Sequence, residues 1–350
     1  MVHIGIDLHK RESQICWLDG ETGELRHQRI QTRPDRFEAV LRSPSPAEVL
    51  IEASTESEWV AACVEGLGHR VHVVDPSYAP MSPGARRRRH KNDTRDAEAL
   101  ATASLRGTYR GIHRLSAVRR EVRQVITVRE SVVRTRTRLI CVVRAALRSN
   151  GLRVPSGSPQ RFAERVRQVP LSPALSEAIA PVLLLLEIVE TQVQVLDTQV
   201  AAYIAQDRDM QRLQSAPHVG PITGAAFVAA LDTPTRFRSA TQVVSYLGLA
   251  PRDDSTGDRH RAGRISKAGS TRVRYLLVQA SWGILTRPGP TDRPLHEWGQ
   301  ALAARRGPRV AVIGVARRLA RILYAMWRDQ RTFTAAGVVT DGQSAGAAAA

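Results

Sequence analysis

A chain of 350 residues with a formal net charge of +18 and a pI near 11.1 can bury two domain cores, and its cationic excess points first to nucleic acid as partner. All but three of its 51 basic residues are arginine, the lysines being Lys10, Lys91 and Lys267; a GC-rich genome gives the same bias, so the net charge carries the reading. Cys16, Cys63 and Cys141 are too scattered for a disulfide framework or a zinc site, no leader pattern opens the chain, and "VLLLLEIV" from Val182 is too short to span a membrane, so a bacterial cytoplasm, near the nucleoid, is expected.

The N-terminal part alternates short apolar runs with turn signals. Val2 to Leu8, Ser13 to Leu18, Leu25 to Gln31, Val49 to Ile51 and Val71 to Val74 are predicted strands, "LDGETGE" is a hairpin turn, and Phe37 to Leu41 and Trp59 to Leu67 are helices. A hairpin followed by alternating strands and helices, with acids at strand ends, is the layout of an RNase H-like (RuvC-like) mixed-sheet α/β domain, expected over residues 1–112. Pro76, Pro80 and Pro83 then interrupt regular structure before "ARRRRHKND", where Arg86, Arg87, Arg88, Arg89 and Lys91 form a basic loop suited to a nucleic-acid backbone.

Residues 113–205 read as paired helices. Leu115 to Asn150 offers Val122, Ile126, Val133, Ile140, Val143 and Leu147, and "NGLRVPSGSP" breaks the pattern. Beyond it, Leu175, Ile179, Val182, Leu186, Val189, Val193, Leu196, Val200 and Tyr203 alternate spacings of four and three, the heptad rule of a coiled coil. Pro181 is expected to start the continuous helix, leaving Leu175 and Ile179 on a separate turn. The pair suits an intrachain hairpin and a dimer seam equally.

Residues 206–335 form a mainly helical C-terminal domain that opens on two helices joined by "HVGPIT". This turn resembles a helix-hairpin-helix, with Gly220 exposing backbone N–H groups to a phosphate. A closing helix spans Arg309 to Arg328, and residues 336–350 read as a disordered tail.

Four carboxylates carry the chemistry. Asp7 ends the first strand, Glu52 closes a later one, and Asp93 and Asp96 lie three apart at a helix start, where both project from one face. Gathered acids repel one another unless a cation compensates, and carboxylate oxygens suit Mg2+ or Mn2+. Singly, each has an ordinary role: Asp7 a turn residue, Asp93 an N-cap, Asp96 a favourable charge in the first turn. Glu56 and Glu58 lie beyond the strand and are expected to face solvent, while His9 and Lys10 read equally as phosphate contacts and as surface residues at a strand exit. In "APRDDSTGDRHRAGRISKAGS", Ser255 and Thr256 stand among Arg252, Arg259, Arg261, Arg264 and Lys267. Alone this is a turn, and its cations supply no base for a hydroxyl nucleophile, so activation would have to come from the distant acids.

Taken together, "GIDLHK", "IEAS", "KNDTRDAEALA", "PHVGPITGAAFVA", "SYLGLAPR", "STGDRHRAGRISKAGS" and "RYLLVQA" resemble the insertion-sequence transposases with an N-terminal DEDD domain and a C-terminal serine domain, the bridge-RNA-guided recombinases. The resemblance implies a RuvC-like domain whose acids, falling on Asp7, Glu52, Asp93 and Asp96, bind magnesium. It further implies a coiled coil that builds a dimer or tetramer, a C-terminal transposase domain, an element-encoded guide RNA, and DNA cleavage and rejoining by a nucleophilic serine. In the family that serine directly precedes the glycine, five residues after the proline of "GLxP". Here Thr256 holds the place and serine stands at Ser255, so either hydroxyl attacks or this copy is impaired. The rivals are a junction-resolving nuclease using acids and water without a covalent adduct, a non-catalytic nucleic-acid scaffold, and an ATPase of the actin and sugar-kinase type, which lacks a glycine-rich phosphate loop here.

Overall fold

Large apolar residues alternate with His3, Gly5 and Asp7 along β1 (Val2–Leu8), giving this strand two faces that bury different things. The computed structural model describes residues 1–78, 92–253 and 262–334. The expected basic loop from Arg86 to Arg89 with Lys91, the hydroxyl loop with Ser255, Thr256, Arg259 and Arg261, and the expected tail lie outside the described residues.

Two units divide the chain, Met1–Arg114 and Leu115–Ala350. In the first, β1 is followed by β2 (Glu12–Asp19), β3 (Leu25–Gln31), α1 (Pro34–Leu41), β4 (Glu48–Glu52), α2 (Ser57–Gly66), β5 (Arg70–Val74) and α3 (Asp93–Arg106). The sheet order is β3-β2-β1-β4-β5; β1, β2 and β3 run antiparallel, and β1, β4 and β5 parallel. On one face Ile4, Ile6, Val49 and Ile51 pack with Phe37 and Leu41 of α1 and Val60 and Val64 of α2. The other face receives α3: Cys16 and Leu18 meet Ala97 and Ala101, and Leu50 and Val74 meet Leu100 and Ala103.

Gly5 sets how closely α3 approaches. A Cβ there would stand 2.0 Å from the Ala97 carbonyl oxygen and 2.5 Å from the Ala101 nitrogen, so the helix backbone rests directly on the strand. His3, on the same face, forms a 2.8 Å hydrogen bond between Nδ1 and Ser104 Oγ. Glu58 does not simply face solvent: Arg114 donates to it and to Glu65, tying the end of this unit to α2. Glu56 likewise accepts from Trp59 Nε1 at 2.6 Å.

The second unit begins with α4 (Ala117–Ser149), α5 (Phe162–Arg167) and α6 (Pro173–Ala205). α4 and α6 pair antiparallel. Arg119 meets Asp207, Arg129 meets Asp197 and Arg136 meets Glu190, so partners on one side fall in number as those on the other rise. Two expectations are corrected here. Helix α6 begins at Pro173, capped by Ser172, and runs through Pro181, which is exposed. Proline removes one N–H donor there, a loss that packing of Ile179 and Leu183 on α4 outweighs. Its full length also makes α6 apolar enough to cross a membrane by length and composition alone, contrary to the reading of one short run. Glu187 and Glu190 in mid-helix instead pair with Arg167 and Arg136 of the same unit.

The remaining elements are α7 (Arg208–Leu213), α8 (Pro221–Leu231), α9 (Ala240–Tyr246), β6 (Pro251–Asp253), β7 (Ala262–Ile265), α10 (Thr271–Thr286), α11 (Arg293–Arg306) and α12 (Pro308–Arg328). α8 is buried from Thr223 to Leu231 and forms the axis of the core, joined by Val315, Leu319 and Leu323 of α12. The described part of the β6–β7 hairpin is tied at its base by two glycines. Gly248, at φ 69°, would place a Cβ 1.9 Å from the Ala268 oxygen, and Gly269, at φ 77°, would place one 1.9 Å from the Tyr246 oxygen. Arg274 spans both segments, donating to the carbonyls of Leu247 at 3.0 Å and Ala268 at 2.9 Å. Gly248→Ala combines a strained φ with a backbone clash and is expected to cost about 3 kcal/mol or more. Denaturant melting of the full chain should show the loss, whereas an exposed glycine with open surroundings, Gly66→Ala, should move it little.

Candidate functional site

Asp7, His9 and Asp93 converge at the C-terminal end of the central strand. Their nearest oxygen and nitrogen atoms all lie within 4.8 Å of one another. His9 Nε2 stands 3.3 Å from Asp7 Oδ2 and 3.2 Å from Asp93 Oδ1. The Asp7 side chain is 5 % exposed, whereas those of His9 and Asp93 are 43 % and 42 % exposed, so the cluster has a buried floor and an open mouth.

Local sequence explains each position. Asp7 shares the α3 face with Gly5, two residues earlier, so the residue that admits the helix also brings its first turn over the acid. Asn92 caps α3 by accepting from the Thr94 N–H at 3.0 Å. The cap is therefore Asn92 and not Asp93, whose carboxylate is left to face His9, and both Asp93 and Asp96 lie in the first turn, where the helix dipole favours negative charge. His9 is held through its backbone: Ser13 Oγ lies 2.7 Å from Thr32 Oγ1, which donates to the His9 carbonyl at 2.7 Å.

Glu52 and Asp96 stand outside that group of three. Ile6 pairs with Ile51 in the parallel β1–β4 ladder, which sets Asp7 and Glu52 at neighbouring positions at the ends of their strands. Asp96 follows Asp93 by one helical turn and is half-buried. Lys10 is exposed in the turn after β1. His9 is the member that sequence reasoning did not place with the acids; its two-residue spacing from Asp7 was the available signal, since alternate strand residues share a face.

In the second unit, Gly220 is exposed and caps α8 with extended backbone, and the N–H groups of Thr223 and Gly224 both turn back to its carbonyl. Arg252, Arg264 and Lys267 are exposed and line a groove between the β6–β7 hairpin and helices α11 and α12.

Chemically, the three-residue cluster offers two carboxylates and an imidazole nitrogen to a cation, on a floor that excludes water on one side. Oxygen-rich donor sets of this kind suit hard divalent ions.

A family model described as a transposase of the DEDD type matches residues 4–150, and one described as the IS116/IS110/IS902 transposase family matches residues 210–297. Among curated proteins, the chain is 30% identical to a "Probable family 20 transposase" of Pseudomonas aeruginosa, over 92% of this chain and 96% of that one. It is 26% identical to the transposase for insertion sequence element IS1111A of Coxiella burnetii, over 94% of this chain and 90% of that one. The transposase for IS1328 of Yersinia enterocolitica is also 26% identical, over 95% of this chain and 98% of the relative. With both units matched and similarity sustained along nearly the whole length, the chain belongs to the IS116/IS110/IS902 family of DEDD-type insertion-sequence transposases.

Proposed function

We propose that this transposase cuts and rejoins DNA through a metal-assisted attack by a side-chain hydroxyl of its C-terminal domain. The observation that carries the reading is the convergence of Asp7, His9 and Asp93 over a buried floor. Asp7 and Asp93, with Glu52 and Asp96 beside them, would hold Mg2+ or Mn2+, which when bound supplies positive charge against the phosphodiester and lowers the pKa of a nucleophile. His9 Nε2, 3.3 Å from Asp7 Oδ2 and 3.2 Å from Asp93 Oδ1, would add a nitrogen to that donor set. The hydroxyl of Ser255 or Thr256 attacks phosphorus. An Oγ–P bond forms, the bond to one deoxyribose oxygen breaks, and the hydroxyl proton is relayed through the acid site, contributed by another subunit, to that leaving oxygen. The freed deoxyribose hydroxyl of the exchanged strand then attacks the same phosphorus, restoring Oγ–H and closing the strand.

Target choice fits an element-encoded RNA that base-pairs with DNA, leaving the protein to contact phosphates through Lys10, the basic loop and Gly220. The self-partner fits α6, where Leu184, Leu185, Ile188 and Val195 are large, apolar and exposed. A second copy covering them would make a dimer or tetramer through the helical arm.

A denaturing gel of full-length protein incubated with labelled DNA and magnesium tests the covalent step. A protein-linked DNA band is expected, and changing both Ser255 and Thr256 to alanine should remove it, with the single variants showing which hydroxyl attacks. A band that survives the double change sinks the hydroxyl mechanism; free ends with no band favour the water-using nuclease.

A further inference from the structure

Helices α11 and α12 cross tightly at two glycines. A Cβ on Gly299 would lie 2.9 Å from Val315 Cγ2 and one on Gly314 would lie 2.6 Å from Leu302 Cδ2. The buried side of α12 is apolar, with Val312, Val315, Leu319 and Leu323 in the core. Its other side carries arginine at 309, 317 and 321, a spacing of four or twice four that keeps them in one row. This row forms a wall of the groove whose opposite wall is the β6–β7 hairpin.

The groove has a volume of about 1660 Å³. Arg252, Arg264 and Lys267 reach it from the hairpin side, and Arg305, Arg306, Arg309, Arg317, Arg318 and Arg321 from the helices, and among the described residues none that lines it is acidic. Among the described residues, no carboxylate pairs with Arg305, Arg306 or Arg309, all three exposed. Val310, Ile313 and Gly314 give it an apolar floor, and the Arg318 guanidinium lies 4.9 Å from the Trp298 ring centroid. Burial, with Arg321 alongside, pulls the Arg317 guanidinium below its ordinary value. So many like charges in one trough repel until a polyanion neutralises them.

We propose that this groove seats the sugar–phosphate backbone of the DNA strand being cut, its arginines from Arg305 to Arg321 contacting successive phosphates. The proposal rests on the reading of the chain as a hydroxyl-using strand-transfer enzyme, because the hairpin forming one wall is the one whose strands β6 and β7 flank residues 254–261. A nucleophile carried there needs its substrate strand against the hairpin. The groove arginines of α11 and α12, Arg305 to Arg321, lie beyond residue 297, outside the stretch that the family model matches.

The test uses full-length protein with a short fluorescein-labelled DNA duplex, and an RNA duplex of the same sequence, binding being followed by anisotropy across a series of NaCl concentrations. Each phosphate contact contributes about 0.9 to the slope of log K against log salt for duplex DNA. The triple change Arg305→Ala, Arg306→Ala and Arg309→Ala is expected to reduce that slope by about two to three and to weaken DNA binding at least about tenfold. A control triple, Arg29→Ala, Arg33→Ala and Arg36→Ala, removes the same charge from exposed positions on β3, at the N-cap of α1 and in α1, and should leave the slope unchanged. An unchanged slope in the groove variant, or an equal fall in both triples, overturns the proposal. Loss of RNA binding with DNA binding intact overturns it too, since the groove then serves RNA. Adduct formation by the native chain is scored separately: a slope unchanged by the groove substitutions with an intact Ser255- or Thr256-dependent adduct removes the groove alone, and a missing adduct with a reduced slope removes the hydroxyl mechanism and leaves the groove as a DNA-binding surface.

Discussion

Asp7→Asn is expected to reduce DNA cleavage on the order of a thousandfold or more while leaving the chain folded. The change keeps the shape of the side chain and removes the negative charge at the one member of the cluster that is almost wholly buried. It thereby withdraws a ligand at the floor, where solvent cannot replace it. Isothermal titration with magnesium should give a binding heat for the native chain and none for the variant, and the melting temperature should stay level or rise, because the repulsion between Asp7 and Asp93 is relieved. Cleavage retained within about tenfold, about 1.4 kcal/mol of barrier, shows that the acids do not serve the chemistry. Magnesium heat without cleavage in the native chain would instead favour a scaffold that binds cations and nucleic acid.

Gly5→Ala is expected to be the most damaging small change in the first unit. The added methyl carbon would lie 2.0 Å from a carbonyl oxygen and 2.5 Å from a backbone nitrogen of α3, both on a backbone that cannot rotate away. Helix and strand must separate by more than an ångström, opening the contacts of Cys16, Leu18, Leu50 and Val74 with α3. Overpacking commonly costs about 1–3 kcal/mol, and a backbone clash this close belongs at or beyond the upper end. Against a typical domain stability of about 5–15 kcal/mol, urea melts should show a first transition well below that of the native chain. Because the same displacement lifts Asp93 away from Asp7, the magnesium heat should weaken in the molecules that remain folded. A variant that melts and titrates like the native chain means α3 does not sit on β1 as described.

Much of this architecture could be read from residues in order. Apolar runs bounded by turn signals placed all five strands of the sheet, with Val2–Leu8 and Leu25–Gln31 matching in both bounds. Asp7 stood out because an acid at the end of an apolar strand is costly without a reason, and Asp93 because Asp96 follows it by three on one helix face. What was not legible depends on packing between distant segments. His9 reads as a surface residue until α3 lies across the strand end. Asn92 took the cap because its side chain, one place before Asp93, reaches the Thr94 N–H. Pro181 signals a helix start in sequence, but Ser172 and Pro173 supply a better one a few residues earlier. In sequence α12 reads only as a closing helix from Arg309 to Arg328, and the placement of the hairpin opposite makes its arginines a wall.

The α4–α6 arm has apolar packing at both ends and little between. Val122, Ile126, Val200 and Ile204 belong to the large core, while Ile140, Val143, Leu147, Ile179 and Leu183 form a separate one with Phe162 and Val166. Across the middle, Val193 is buried and the chain is otherwise fastened by Arg129 to Asp197 and Arg136 to Glu190. Ion pairs weaken as added electrolyte shortens the Debye length, and apolar packing does not. Electrolyte should therefore loosen Arg129 from Asp197, whose side chains are 21 % and 45 % exposed, before Arg136 from Glu190, at 12 % and 15 %.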